Sequence, residues 1–368
     1  MKSSYRVAIA GCHRMLARKP GGHNHAAGFQ AISESRVVGV FDYDRDTRRQ
    51  FVACWREAWG EVPAYDDYER MLEETQPDIV CVATRQTMHA DQIEMAVQAG
   101  AKAVLCDKPL ATSMSEVDRI VAACTNVPLA LALDRRWNRH YRELRKLIAA
   151  GVIGRLQGLI GFGVPNLINH GCHWYDTMLL LAGDPRPVWV SGQLEDLSGE
   201  PEGSPKHLDP AGRVHVGLED GSVLYVTPDG KSSKCGLSFE AWGDAGRLLM
   251  YQDGRVCFSV SDADAAVSCG PAGFFTPTSI DQVDGTGGLQ DTSKSGMSSY
   301  LPIEGMVSEL VEGVRTGRRT SCDLEQASRA AEIGFAAHLS SARDGARIAL
   351  PLEDRSLRIE SFKWGSER

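Results

Sequence analysis

The sequence predicts an α/β doubly wound parallel sheet followed by an α+β domain with a mainly antiparallel open sheet. Three observations predict it. The chain has 368 residues, which is more than one average domain and fewer than three. Up to about residue 134, short unbroken apolar runs alternate with amphipathic helical patterns. Beyond that point the strands lengthen, alternate apolar with polar positions, and are joined by hairpin-type turns.

The apolar runs are Val7–Ala10, Val37–Phe41, Ile79–Ala83, Ala103–Cys106 and Leu129–Leu133. Such runs are strands buried on both faces, as in a parallel sheet covered by helices. Helical patterns fall between them, over Ala26–Ser33, Arg45–Trp59, Tyr68–Glu74, Ala90–Ala99 and Ser115–Cys124. This alternation is the doubly wound, Rossmann-type arrangement. Trp137–Ala150 then reads as one amphipathic helix closed by Gly151, and a strand begins at Arg155. Arg213–Leu218 and Ser222–Thr227 flank a Glu219-Asp220-Gly221 turn. Leu237–Trp242 precedes a second hairpin, Arg247–Tyr251 and Arg255–Val260, around Gln252-Asp253-Gly254. Asp-Gly turns between alternating runs are antiparallel hairpin chemistry. Gly270–Ser299, rich in Gly, Ser, Thr and Asp, reads as a long loop before helices at Leu301–Thr316 and Leu324–Ser341. The expected domains are residues 1–134 and 135–368.

Composition bounds the function. Forty Lys and Arg against 48 Asp and Glu give a net charge of −8, which argues against a nucleic-acid partner, since phosphate neutralisation needs clustered basic residues. No apolar run approaches the ~18–20 residues of a membrane span. The N-terminal stretch lacks the apolar core of a secretory signal. The ten cysteines are scattered without a CxxC pair and read as free thiols in a reducing cytoplasm. His23, His25, His170, Cys172 and His173 fall in two short runs without metal-site spacing, so no metal is expected.

Four segments, in order, carry a resemblance: VAIAG at the first strand and turn, AVQAGAKAVLCDKPLATSMSEVDRIV, RRWNRHYRELRKLIAAGVIGRL, and NHGCHWYDTMLLLAGDP. Together they resemble the Gfo/Idh/MocA oxidoreductases, a family that includes glucose–fructose oxidoreductase and inositol dehydrogenase, over nearly the whole chain. The resemblance implies an oxidoreductase that uses NAD, less favourably NADP, to oxidise a secondary hydroxyl of a sugar, sugar acid or cyclitol. Relatives of the same fold imply two alternatives: a lyase or glycosidase working through transient oxidation and elimination, and a non-catalytic sugar sensor. A homo-oligomer, dimer or tetramer, assembled through the open sheet face is also implied.

The site residues follow from position and pattern. Lys108, in Asp107-Lys108-Pro109, ends the fourth strand, where open α/β sheets bind ligands. A lysine there can hold a reacting hydroxyl and stabilise a developing alkoxide. Asp107 stands where the family pattern has Glu, and Asp107 and Lys108 are both also expected beside the cofactor. Asn169, Gly171, His173 and Asp176 match the family pattern DxGxHxxD, with Asn169 in place of the first Asp. Residues 169, 173 and 176 have the spacing of one helix face. His173 suits general acid–base work; with Lys108 it is the expected proton-transfer pair, and Asn169 and Asp176 would position substrate and imidazole.

The family's GxGxxG is read as Gly11-Cys12-His13-Arg14-Met15-Leu16, in which the first Gly alone remains. A lengthened turn is expected, with Gly11, His13, Arg14 and Met15 near the cofactor and Arg14, Arg18 or Lys19 offering charge to its phosphates. Asp42, ending the second strand, would bind the ribose diol and repel a 2′-phosphate. Arg45, Arg48 and Arg49 nearby oppose that preference unless they form a solvated helix face. Thr84, Gln86 and His89 fall where the family places ATPNxxH, near the nicotinamide ribose, although His89 also reads as a structural residue at a helix start. Arg136, Trp137 and Asn166, with His207 and Asp209, are the candidate substrate contacts.

Overall fold

The computed structural model describes residues 4–19, 23–228, 237–251, 256–260, 274–275 and 302–361. Two compact units result, and neither is a single stretch of chain. The first comprises Met1–Asn138, Tyr300–Ala331 and Arg355–Glu360; the second comprises Arg139–Ser299, Glu332–Asp354 and Ser361–Arg368.

The first unit opens with β1 (Tyr5–Ala10), α1 (His25–Ala31), β2 (Ser35–Phe41), α2 (Arg45–Trp59), β3 (Ala64–Tyr65) and α3 (Tyr68–Thr75). It continues with β4 (Ile79–Val82), α4 (His89–Gln98), β5 (Ala103–Cys106), α5 (Met114–Ala123) and β6 (Leu129–Leu131). The six strands form one sheet in the order β3-β2-β1-β4-β5-β6, and every pairing is parallel. The order reverses between β1 and β4, which places the ligand crevice at the carboxyl ends of those strands. Val7–Ala10, Ile79–Val82 and Ala103–Cys106 are completely buried, as unbroken apolar strands between two helical layers must be. The helices start where their sequences supply caps: Asp44 Oδ1 accepts from Thr47 N at 2.6 Å, and Asp67 Oδ1 from Arg70 N at 3.0 Å.

The second unit contains α6 (Arg139–Ala149), β7 (Leu156–Phe162), α7 (Gly171–Ala182), β8 (Pro187–Leu194), α8 (Pro205–Leu208), β9 (Gly212–Leu218) and β10 (Val223–Thr227). β11 (Leu237–Gly243), β12 (Gly246–Tyr251), β13 (Val256–Val260) and β14 (Phe274–Phe275) follow. After them come α9 (Pro302–Thr316), α10 (Leu324–Ser341) and β15 (Ile348–Ala349). Nine strands make one sheet in the order β14-β13-β12-β11-β7-β10-β9-β8-β15. It is antiparallel throughout except for the parallel pair β7–β10. The β9–β10 and β12–β13 hairpins are those expected from their Asp-Gly turns, although residues 252–255 and most of the expected loop at 270–299 lie outside the described residues.

The helix α9 belongs to the first unit, not to the stretch after residue 134 as a whole. It packs on α1 at Gly28, where a Cβ would stand 2.8 Å from Ile303 Cγ1. Just beyond it, Thr320 Oγ1 donates to the Leu129 carbonyl at 2.9 Å, and Leu131 N donates to the Cys322 carbonyl at 3.0 Å. The returning chain thus covers the open edge of β6. α10 begins in the first unit and ends in the second. There Gly192 on β8 admits the Ala337 backbone; a Cβ would meet the Ala337 carbonyl oxygen at 2.7 Å.

Cys12, Cys54, Cys81, Cys106, Cys124, Cys172 and Cys322 are unbridged thiols; Cys235 and Cys269 lie outside the described residues. Among the described residues no helix is long and apolar enough to cross a membrane, and no group of three or more His, Cys, Asp or Glu is placed to hold a metal ion.

Candidate active site

The crevice begins at Gly11, at the end of β1. Its φ is +86°, and a Cβ there would lie 2.3 Å from the Ala83 carbonyl oxygen. Only glycine lets the turn pass so close to the chain leaving β4. Gly11→Ala should therefore destabilise the chain by about 3 kcal/mol, because the opposing atom is backbone and cannot rotate away. Urea unfolding monitored by Trp fluorescence would measure the loss; a midpoint equal to the parent's would contradict the geometry.

After Gly11 the turn is held by its own polar groups. Cys12 N donates to Asp42 Oδ2 at 2.8 Å, and Asp44 N donates to Asp42 Oδ1 at 3.0 Å. Asp42 thus stands at the strand end expected for a ribose-binding acid, with each oxygen keeping a lone pair for a hydroxyl. Arg48 is turned onto the Asp42 and Tyr43 carbonyls, at 2.5 and 3.1 Å, and pairs with Asp66 at 3.3 Å. His13–Met15 form a short 3₁₀ turn. His13 and Arg14 are exposed, whereas Met15 is buried in the core. The Met15 carbonyl accepts from Trp55 Nε1 at 2.7 Å, so the cofactor role expected for Met15 gives way to an anchoring one. Arg18 pairs with Glu57 of α2. Asn24 closes the lengthened loop: its Nδ2 donates to the Ala17 and Lys19 carbonyls at 2.7 and 2.8 Å, and its Oδ1 accepts from Ala27 N at 3.3 Å.

At the end of β4, Thr84 Oγ1 donates to Gln92 Oε1 at 2.5 Å. Gln86 is buried, with its Nε2 3.5 Å from the Ile359 carbonyl. His89 is buried beneath the crevice, its Nδ1 3.1 Å from the Leu110 carbonyl and its Nε2 3.3 Å from that of Thr84. Burial pulls its pKa down, which keeps the imidazole neutral. His89 is therefore a strut between the segments after β4 and β5, and its expected cofactor contact is replaced by this structural one.

Asp107 and Lys108 close β5, with Lys108 9% exposed and a cis peptide joining it to Pro109. Asp107 Oδ1 accepts from Lys108 N at 2.8 Å and stands 3.1 Å from His23 Nδ1 and 3.8 Å from His25 Nε2. Burial raises the Asp107 pKa, but the bond from His23 and the nearby charge of His23 and His25 outweigh it and hold the carboxyl well below the usual range. Arg136 and Trp137, expected at the substrate, are internal. Arg136 is 2% exposed, and its Nη1 donates to the Ser321 carbonyl at 3.2 Å. Trp137 has no exposed surface, so it cannot stack on a sugar face.

In the second unit, α7 starts at Gly171. Asn169 therefore lies in the turn before the helix, not on its face, while His173 and Asp176 remain one turn apart on it. Asp209 shapes that turn. Its Oδ1 accepts from Leu167 N and Ile168 N at 3.1 and 2.8 Å, and its Oδ2 from Asn169 N and Ser361 Oγ, both at 2.8 Å. Asp209, offered by the sequence as a pocket lining, is thus a buried acceptor for the backbone that presents Asn169. Asn166 Oδ1 accepts from His170 N at 2.7 Å and lies 3.2 Å from its Nδ1; its oxygen serves the turn, not a substrate. His207 is exposed on α8. Asp176 is completely buried, which removes it from direct substrate contact. Asp209→Asn, which aims an amide NH₂ at N–H donors, should cost about 3 kcal/mol of stability, measurable as a lowered urea midpoint.

The comparisons with known proteins agree with this fold. A family model described as oxidoreductase family, NAD-binding Rossmann fold, matches residues 5–133. Residues 5–133 belong to the Gfo/Idh/MocA oxidoreductase family. The chain is 27% identical over 272 residues to the dTDP-3,4-didehydro-2,6-dideoxy-alpha-D-glucose 3-reductase of Saccharopolyspora spinosa, covering 68% of this chain and 75% of that one. It is 26% identical over 152 residues to the myo-inositol 2-dehydrogenase of Thermotoga maritima, covering 41% of this chain and 42% of that relative. Beyond the family domain, the whole fold matches a levoglucosan dehydrogenase solved with NADH and levoglucosan. The TM-score is 0.72 at 17% identity, over 95% of this chain and 100% of that one.

Proposed function

We propose that the chain is an NAD-dependent dehydrogenase oxidising a secondary hydroxyl of a sugar, sugar acid or cyclitol. The observation that carries this reading is Lys108, buried at the carboxyl end of β5 in a sheet whose family binds NAD. The residues present fit the dinucleotide. Gly11 supplies the tight turn at the switch point, and Asp42 supplies an acceptor for the ribose diol that also disfavours a 2′-phosphate. Arg48, which would favour NADP if turned outward, is engaged by carbonyls and by Asp66. When bound, the dinucleotide supplies the two-electron acceptor.

The chain's own residues do the rest. The Lys108 ammonium donates to the substrate oxygen and stabilises the negative charge that grows there. His173 takes the hydroxyl proton as general base. Asn169 cannot ionise, so its amide serves as a hydrogen-bonding group to a sugar hydroxyl or to the imidazole. Asp176 orients His173 from one turn further along α7. We place the chain in a reducing compartment, the cytoplasm, in keeping with the unbridged thiols among the described residues. Self-association would use the sheet face on which Trp189, His215 and Tyr225 form a row, with His215 and Tyr225 stacked at 4.2 Å.

The test is a panel of sugars, sugar acids and inositols with NAD and with NADP, read as absorbance of the reduced nicotinamide. Turnover of at least one polyol, faster with NAD, is the expected result. Cleaved product without net reduction would replace this reading with the eliminating one, and failure to bind either dinucleotide by calorimetry would replace it with a non-catalytic one.

A further inference from the structure

Two departures from the family pattern meet at one hydrogen bond. The loop after β1 is longer than GxGxxG allows, and the residue before Lys108 is Asp107, one methylene shorter than Glu. His23, delivered by that loop, places Nδ1 3.1 Å from Asp107 Oδ1. The same oxygen accepts the Lys108 backbone N–H at 2.8 Å. We propose that His23 is a positioning residue for Lys108, holding the Asp107 carboxylate that seats the lysine; this rests on the role of Lys108 proposed above.

The surroundings leave this work to His23. His25 is completely buried, and its Nε2 is 3.8 Å from Asp107 Oδ1, beyond hydrogen-bond range. Neither ring nitrogen of His25 has a hydrogen-bond partner among the described residues. An ionised carboxylate only accepts, so the His23 proton is assigned to Nδ1. The His23 side chain is 31% exposed, which places it at the mouth of the cluster. The Asp134 carboxyl is raised by burial and drawn back by the charge of Arg135 and His23. His23 bonds one buried acid, Asp107. It also ties the cofactor loop to the strand end that carries Lys108. Without it, the Asp107 carboxylate loses a charge-assisted bond in a buried setting, and the Lys108 backbone that depends on the same oxygen shifts.

The experiment compares His23→Ala with His23→Asn, whose side-chain N–H can stand where the imidazole Nδ1–H stood. In the polyol assay, His23→Ala should lower kcat about tenfold at saturating NAD, since a small misplacement of a reacting group is costly. Both KM values should stay within about threefold, and His23→Asn should recover most of kcat. Independently of turnover, the Lys108 amide resonance in a ¹H–¹⁵N spectrum should move in His23→Ala and return in His23→Asn. A Lys108 amide that stays in place in His23→Ala overturns the proposal, as does an unchanged kcat. A Lys108 shift in a chain that oxidises no polyol would refute the dehydrogenase reading while leaving the seating of Lys108 by His23 supported.

Discussion

Replacing Lys108 with alanine should lower turnover by about a thousandfold, at the upper end of what a single oxyanion-stabilising donor supplies in a water-poor site. The side chain is the cation at the end of β5, and no other part of Asp107-Lys108-Pro109 can donate to a substrate oxygen. NAD affinity should stay within about threefold, because Gly11 and Asp42, assigned to the dinucleotide, directly follow β1 and β2 and keep their own bonds. Lys108→Arg should recover little of the rate, since a planar guanidinium presents its donors in a different geometry. Initial rates together with calorimetric NAD binding separate these effects. A Lys108→Ala chain that keeps full turnover would remove Lys108 from the chemistry, and one that loses NAD binding would move its role to the cofactor.

Much of the first unit was legible because periodicity and burial say the same thing there. The helix α2 runs from Arg45 to Trp59 and β5 from Ala103 to Cys106, both as read. Phe51, Trp55 and Trp59 recur at the spacing of one helix face, and all three are buried. The strand β8 was not legible: PVWVSGQL mixes Ser, Gly and Gln with its apolar positions, and what makes it a strand is its pairing with β9. Nor was the return of α9 to the first unit, since an amphipathic pattern shows that a face is buried but not against what.

At the candidate site, local pattern located the strand-end residues but not their partners. Met15 and Trp137 sit in motifs that suggest contact with ligand, yet both side chains are in the core. The spacing of residues 169, 173 and 176 fits a helix face, but the helix begins at Gly171. Asp209 bonds a turn forty residues earlier in the chain, through Asn169 N, and His23 meets Asp107 across 84 residues. Contacts of that sequence separation leave no trace in periodicity; they become visible only when the fold brings the segments together.

His173→Ala should lower kcat by about a hundredfold or more, the usual contribution of a positioned general base. The imidazole is on the third residue of α7, half-buried, and the turn before it is pinned by Asp209. Removing it should therefore change the chemistry more than the fold. The pH–rate profile carries the sharper test. If His173 takes the proton, kcat/KM in the parent rises with pH as a base is unmasked, and that limb disappears in His173→Ala. Lys108→Ala would lower the whole profile and keep the limb, because a hydrogen-bond donor and a proton acceptor fail in different ways. A His173→Ala profile with the limb intact would assign the base to another group. Asn169 does not qualify, since an amide does not ionise, and completely buried Asp176 lacks access to a substrate hydroxyl. Loss of the limb together with loss of rate would assign to His173 the proton transfer that an Asp at position 169 could have shared, which is the chemical consequence of having Asn169 in this chain.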